Sequence, residues 1–175
     1  PPPPPPPHPT PTFFFILYGD LLVLHISLRR LLKMFIRYRA ISFTWTYDGT
    51  SPVVSSITAL VEDGSYRASK QIPIAVVFSE NVVVTDTPLL SIQSAAPIAN
   101  ASYQSGSGKD TLIFNYIVET GHNFSDLDYT SSSALNLNNG SIKDSFGNVA
   151  NVVLPAPGES GSLSFNKNII IDIFI

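Results

Sequence analysis

The sequence contains no cysteine, so the fold has no disulfide and no thiolate metal ligand, and thiol catalysis is excluded. Charged residues are also scarce, at 13% of the 175 residues, and tryptophan and methionine each occur once. The hydrophobic fraction of 44% is nevertheless sufficient for one buried core in a chain of this length. Without cysteine, stability must come from that core or from bound ions.

The few charges are distributed unevenly along the chain. The first 47 residues hold one acid, Asp20, and five basic residues: Arg29, Arg30, Lys33, Arg37 and Arg39. The rest of the chain holds five basic and twelve acidic residues. Because phosphate contacts need clustered Lys and Arg, we expect no nucleic acid as a partner. An acidic, sparsely charged domain is better suited to divalent cations.

The segment 1–46 differs in composition from everything after it. Its first twelve residues are mostly proline, which lacks a backbone donor, so we expect an extended tail there. The apolar stretch Phe13–Leu28 contains Asp20 and His25 and is shorter than the roughly 20 residues of a membrane-spanning helix. The basic residues follow this stretch, whereas in a signal peptide they precede it. We therefore expect neither a membrane span nor a signal peptide.

Two interpretations of segment 1–46 stay open. Apolar residues recur near helical spacing between Leu21 and Phe35, as in an amphipathic helix that lies on a membrane surface. The second interpretation is a segment outside the fold, translated from an upstream or shifted reading frame. It is favoured by the run of prolines, the run of phenylalanines and the change of composition near Trp45. We prefer the second interpretation, which leaves residues 47–175 as the folded domain.

From Asp48 onward the sequence consists of short apolar runs with a period of two, separated by Gly, Asn, Asp, Ser and Pro. The turn residues between the runs include Asp63-Gly64, Asn139-Gly140 and Gly147-Asn148. No window in this part has a helical period. The predicted strands are Val53–Val61, Gln71–Phe78, Val82–Thr85, Leu89–Gln93, Ala99–Gln104, Leu112–Val118, Ala134–Leu137, Asn151–Leu154 and Asn168–Ile173.

This pattern predicts an all-β fold. Seven to nine short strands at intervals of about 8 to 12 residues are typical of an immunoglobulin-like antiparallel β-sandwich. The expected core consists of the inward-facing positions of the two clearest strands: Ile72, Ile74, Val76, Phe78, Leu112, Phe114 and Tyr116.

Several segments also carry a resemblance to a known family. They are Asp48-Gly49-Thr50-Ser51-Pro52-Val53, Glu62-Asp63-Gly64-Ser65-Tyr66-Arg67, Val77-Phe78-Ser79-Glu80-Asn81-Val82, Asp126-Leu127-Asp128-Tyr129 and Gly147-Asn148-Val149-Ala150. In this order they resemble the immunoglobulin-like tandem repeats of large bacterial adhesins and cell-surface proteins. The resemblance covers residues 48–172 and does not extend to the first 46. It would make Asp172 the counterpart of Asp48 in a following repeat.

The resemblance implies a function without a reaction. Such repeats are structural spacers of a stalk, their partners are neighbouring repeats, and their location is the cell surface or the extracellular space. Several family members are stiffened by calcium, a cation that takes six to eight oxygen ligands. The candidate calcium ligands are the acids at loop ends: Asp63, Glu80, Asp126, Asp128 and Asp144. The same acids could instead form turns and cap loops.

Catalytic motifs are weak in this sequence. A hydrolase triad needs a histidine, and the domain offers only His122, without a Gly-x-Ser-x-Gly motif. We interpret His122 as a surface-loop histidine. Asp126 and Asp128, two residues apart, are a poor basis for glycosidase chemistry. We therefore expect no enzyme. The alternative function is a carbohydrate- or protein-binding module that uses the loops near His122 and Asp126.

Overall fold

The computed structural model describes residues 47–93 and 99–172, and the expectations for residues 1–46 fall outside this part. The described residues form nine strands and one helical turn. In chain order these are β1 (Val54–Ala59), β2 (Gly64–Tyr66), β3 (Gln71–Thr85), β4 (Leu89–Ile92), β5 (Ala99–Ser105), β6 (Lys109–Ile117), β7 (Leu135–Asn136), β8 (Ser141–Lys143), α1 (Leu163–Asn166) and β9 (Ile169–Ile171). The all-β prediction is confirmed.

Seven of the strands form one antiparallel sheet in the order β1-β3-β6-β5-β4-β7, with β8 paired to β3. Strands β2 and β9 form a separate parallel pair. The central strand β3 runs between β1 and β6 over its first half. Its register with β6 shifts between Val77 and Val82, and its last residues, Val83–Thr85, pair with β8.

The period-two pattern of β3 and β6 correctly predicts which side chains are buried. All seven predicted core residues are buried, and six of them are fully inaccessible. The core also takes large side chains from elements outside these two strands: Ile57, Leu90, Ile92, Leu127, Tyr129, Ile142 and Leu163. One apolar cluster therefore joins the large sheet to the β2–β9 pair and to α1.

The ends of the core are formed by different segments of the chain. We define the entry end as the end of the β3–β6 ladder near Ser79 and Glu80. There the Ser79 N–H donates to the carbonyl of Val53, just before β1 begins. We define the exit end as the opposite end of the ladder, where Gln71 pairs with Ile117. These two ends organise the positions of the acidic side chains described below.

Some strand predictions were wrong. Asn151–Leu154 is not a strand: Asn151 makes an isolated bridge to Val53, and its side chain accepts the Val153 N–H at 3.1 Å. The Val153 N–H is therefore bonded to a nearby side chain and not to a neighbouring strand, as it would be in a β-ladder. Gln71–Phe78 and Val82–Thr85 are one continuous strand, β3. The three-residue strands β2 and β8 and the helical turn α1, whose N-cap Ser162 accepts the Phe165 N–H, were not predicted.

Candidate functional site: a carboxylate cluster at the entry end

Three carboxyl groups meet at the entry end of the sheet. Asp48 precedes β1, Glu80 lies within β3, and Asp144 directly follows β8. One carboxylate oxygen from each residue lies within 4.8 Å of the other two. We call these three residues the carboxylate cluster. Among residues 47–93 and 99–172, it is the one group of three or more His and acidic side chains close enough to share a metal ion.

Glu80 reaches the cluster because of the alternation along β3. It has the same parity as Ile72, Ile74, Val76 and Phe78, so it lies on the inward face of the strand, between the buried side chains of Phe78 and Val82. The side chain is half-buried. Burial raises the pKa of Glu80, and the negative charges of Asp48 and Asp144 raise it further. Without a cation, this carboxylate is therefore in an unfavourable environment.

Asp144 is held in place by the loop that follows it. Its Oδ1 accepts the backbone N–H groups of Phe146 and Asn148, both at 2.8 Å, and its Oδ2 accepts the side-chain amide of Asn148 at 2.6 Å. Gly147 has a φ of 94°, which permits this tight loop. Burial acts to raise the pKa of Asp144, but the hydrogen bonds from Asn148, Phe146 and Gly147 outweigh it, so the pKa is lowered. Asp144 is therefore kept as an anion.

Asn148 connects Asp144 to the entry segment. Its amide also donates to the backbone carbonyl of Asp48 at 2.9 Å. The Asp48 side chain in turn accepts the N–H of Thr50 at 2.9 Å, an Asx-type turn that sets its direction. The position of Asp48 thus depends on contacts with a residue 100 positions later in the chain.

The arrangement is compatible with a hard divalent cation. Two oxygens that both bind one calcium ion at about 2.3 to 2.6 Å lie no more than about 5 Å apart. The spacing within the cluster meets this condition, and the three carboxylates would supply three of the six to eight oxygens that calcium takes. In the described part of the chain, the salt bridge shorter than 4.0 Å joins Lys167 to Asp63, which lies outside the cluster.

Two of the five predicted calcium ligands, Glu80 and Asp144, belong to the cluster. Asp48 was not predicted as a ligand, although it opens the Asp-Gly-Thr segment that carries the family resemblance. Its proximity to the other two acids could not be inferred from the sequence, because the three residues come from separate segments.

The other three predicted ligands lie outside the cluster. Asp63 accepts the N–H of Asn168 at 3.2 Å, and its Oδ1 lies 3.8 Å from Nζ of Lys167. Asp126 is exposed, and its pKa is raised mainly by desolvation, against a hydrogen bond from the backbone of Ile169. These two acids connect loops to the segment that leads into β9.

Asp128 has a structural environment of its own. It is buried, its Oδ1 accepts the N–H of Tyr129 at 2.9 Å, and its Oδ2 accepts the Gly158 N–H at 3.0 Å and the Ser164 hydroxyl at 2.6 Å. Both oxygens are therefore occupied by donors from the protein. The carboxylate joins its loop to the segment that precedes and includes α1.

Comparisons with protein-family models, with curated proteins and with solved structures find no match to this chain.

His122 is not a surface histidine, so that interpretation was wrong. The side chain is 2% exposed and stacks on the ring of Tyr116, at 5.7 Å between centroids. Its Nδ1 accepts the N–H of Glu119 at 3.2 Å and therefore also accepts the Tyr116 hydroxyl at 2.7 Å. Burial, and secondarily the charge of Glu119, raises the pKa of Tyr116 above its usual value.

This bonding pattern assigns the ring proton of His122 to Nε2, which is buried and has no hydrogen-bond partner within the described residues. The imidazole fills space between β6 and the loop that leads to Phe124, whose ring centroid is 6.2 Å away. His122 is therefore part of the interior at the exit end and is not presented to a ligand in solution.

None of the helices in the described residues is both long and apolar enough to cross a membrane.

Proposed function

We propose that this domain is a structural spacer, one immunoglobulin-like repeat of a cell-surface or secreted stalk protein, whose partners are the neighbouring repeats. The proposal involves no reaction. The observation that supports it is the placement of the two ends of the domain: Asp48 lies at the entry end of the sheet and Asp172 at the exit end.

The position of Asp48 follows from the carboxylate cluster, which places it beside Glu80 on β3. The position of Asp172 follows from backbone hydrogen bonds. Its N–H donates to the carbonyl of Tyr66. The Tyr66 ring lies below Nζ of Lys70, 5.6 Å from the ring centroid. The carbonyl of Lys70 accepts the N–H of Val118 where the β3–β6 ladder begins. Asp172 is thus close to the start of β3.

The distance between the two ends can be estimated along β3. Nine residue steps separate Gln71 from Glu80, and a strand rises about 3.3 Å per residue, so the ends lie roughly 30 Å apart. A chain that enters at one end and leaves at the other adds the length of the domain to a tandem array. A chain that entered and left at the same end would add almost none.

The interior between these ends is continuous. β3 lies in the middle of the sheet, hydrogen-bonded on both sides, and buries a side chain at nearly every second position from Ile72 to Val82. Because packed interiors resist compression, a strand supported in this way connects the two ends rigidly. This is the mechanical property that a spacer needs.

Calcium binding at the carboxylate cluster is the second part of the proposal. A cation shared by Asp48, Glu80 and Asp144 would attach the entry segment to β3 and to the loop after β8. It would also relieve the repulsion from Asp48 and Asp144, which adds to the effect of burial in raising the pKa of Glu80. The cation would therefore act on the segment that leads into the domain, where a spacer gains stiffness.

The alternative, a glycan- or protein-binding module, receives less support from the geometry. Of its two named residues, Asp126 is exposed and His122 is buried, with Nδ1 already bonded. Recognition through His122 would require the loop that carries it to open. A binding signal in glycan-array or pull-down assays that Asp126→Ala abolishes at an unchanged melting temperature would favour this alternative.

Single-molecule force spectroscopy tests the spacer proposal on the full chain. The absence of cysteine allows handles to be attached specifically through Thr50→Cys and Asp172→Cys. We expect one cooperative unfolding step that releases about 40 nm, since 122 residues extend to about 3.6 Å each and the folded ends are already roughly 30 Å apart.

The matched control carries one handle at Thr50→Cys and the other at Lys109→Cys, both near the entry end. It should release about 20 nm, because only the 59 residues between the handles are extended. Smooth extension of the first variant at low force, without a discrete step, would contradict a spacer that resists force as one folded unit.

A further inference from the structure

We draw no further inference here: the strongest candidate, the group of exposed apolar side chains of Val53, Phe146 and Val149 beside the carboxylate cluster at the entry end, carries none because nothing in the structure shows what covers it.

Discussion

Replacement of Phe114 by alanine tests the packing of the core. Phe114 lies in the middle of β6, is fully buried, and pairs with Ile74 on β3 and Tyr103 on β5. Its ring meets that of Tyr103 edge to face, with centroids 5.8 Å apart and an interplanar angle of 67°. The substitution therefore removes apolar burial and an aromatic pair, and it leaves a cavity on the buried face of three adjacent strands.

A buried Phe-to-Ala change typically costs about 3 to 5 kcal/mol of unfolding free energy. For a chain of this size, that loss corresponds to a decrease in melting temperature of roughly 6 to 20 °C. The assay is equilibrium denaturant unfolding, followed by circular dichroism and supported by thermal melts. We expect a lower denaturant midpoint with a similar slope, since the surface exposed on unfolding changes little.

Phe165→Ala is the matched control. Phe165 lies in α1, and its side chain is 61% exposed, so its removal should change the stability by no more than about 0.5 kcal/mol. A loss of less than about 1 kcal/mol for Phe114→Ala, or an equal loss of stability in the two variants, would contradict the packing of Phe114. Either result would mean that the inward face of β6 is not packed as described.

Two further predictions concern the carboxylate cluster and a turn. Millimolar calcium should raise the melting temperature of the wild type by several degrees, because a ligand at 100 times its Kd stabilises the folded state by about 2.7 kcal/mol. Without calcium, Glu80→Gln should melt at a higher temperature than the wild type, and it should lose the calcium response. The control Glu159→Gln, which changes an exposed acid, should keep the calcium response. A wild-type melting temperature that calcium leaves unchanged would contradict the calcium proposal. Gly106→Ala should cost at least about 1 kcal/mol more than Gly108→Ala in denaturant melts. Both glycines have positive φ, but only at Gly106 would the added Cβ collide with the carbonyl oxygen of Thr111. Equal losses of unfolding free energy in the two variants would contradict this turn geometry.

The strands whose buried face was predictable from the sequence are those with a long period-two pattern. β3 and β6 each bury at least three large side chains on one face, and this regularity is present in the residues themselves. Strands β2 and β8 have three residues each, with one apolar or aromatic side chain apiece, whereas the similarly short β7 and β9 lie in the longer apolar runs Ala134–Leu137 and Asn168–Ile173 and were predicted. The partners of β2 and β8, which are β9 and the end of β3, lie far away in the chain.

The carboxylate cluster was only partly predictable for a related reason. Residue type selected Glu80 and Asp144, two of the three cluster members, although Glu80 lies within β3 and not at a loop end. The same criterion also selected Asp128. The oxygens of Asp128 are taken by Gly158 and Ser164, which lie 30 and 36 residues away. Likewise, the burial of His122 depends on the packing of Tyr116 and Phe124 around it. The contacts of Asp128 join distant segments, whereas those of His122, with residues six and two positions away, depend on how its loop folds back on β6. Neither can be read from local composition.

In a spacer repeat, the points where the chain enters and leaves the domain must lie at opposite ends of it. The distance between spin labels on Thr50→Cys and Asp172→Cys, measured by pulsed electron paramagnetic resonance on the full chain, tests it most directly. We expect a single distribution centred near about 30 Å, and a shorter distance between labels on Thr50→Cys and Lys109→Cys. A distance below about 15 Å for the first pair would place both points at the same end of the sheet and contradict the spacer function.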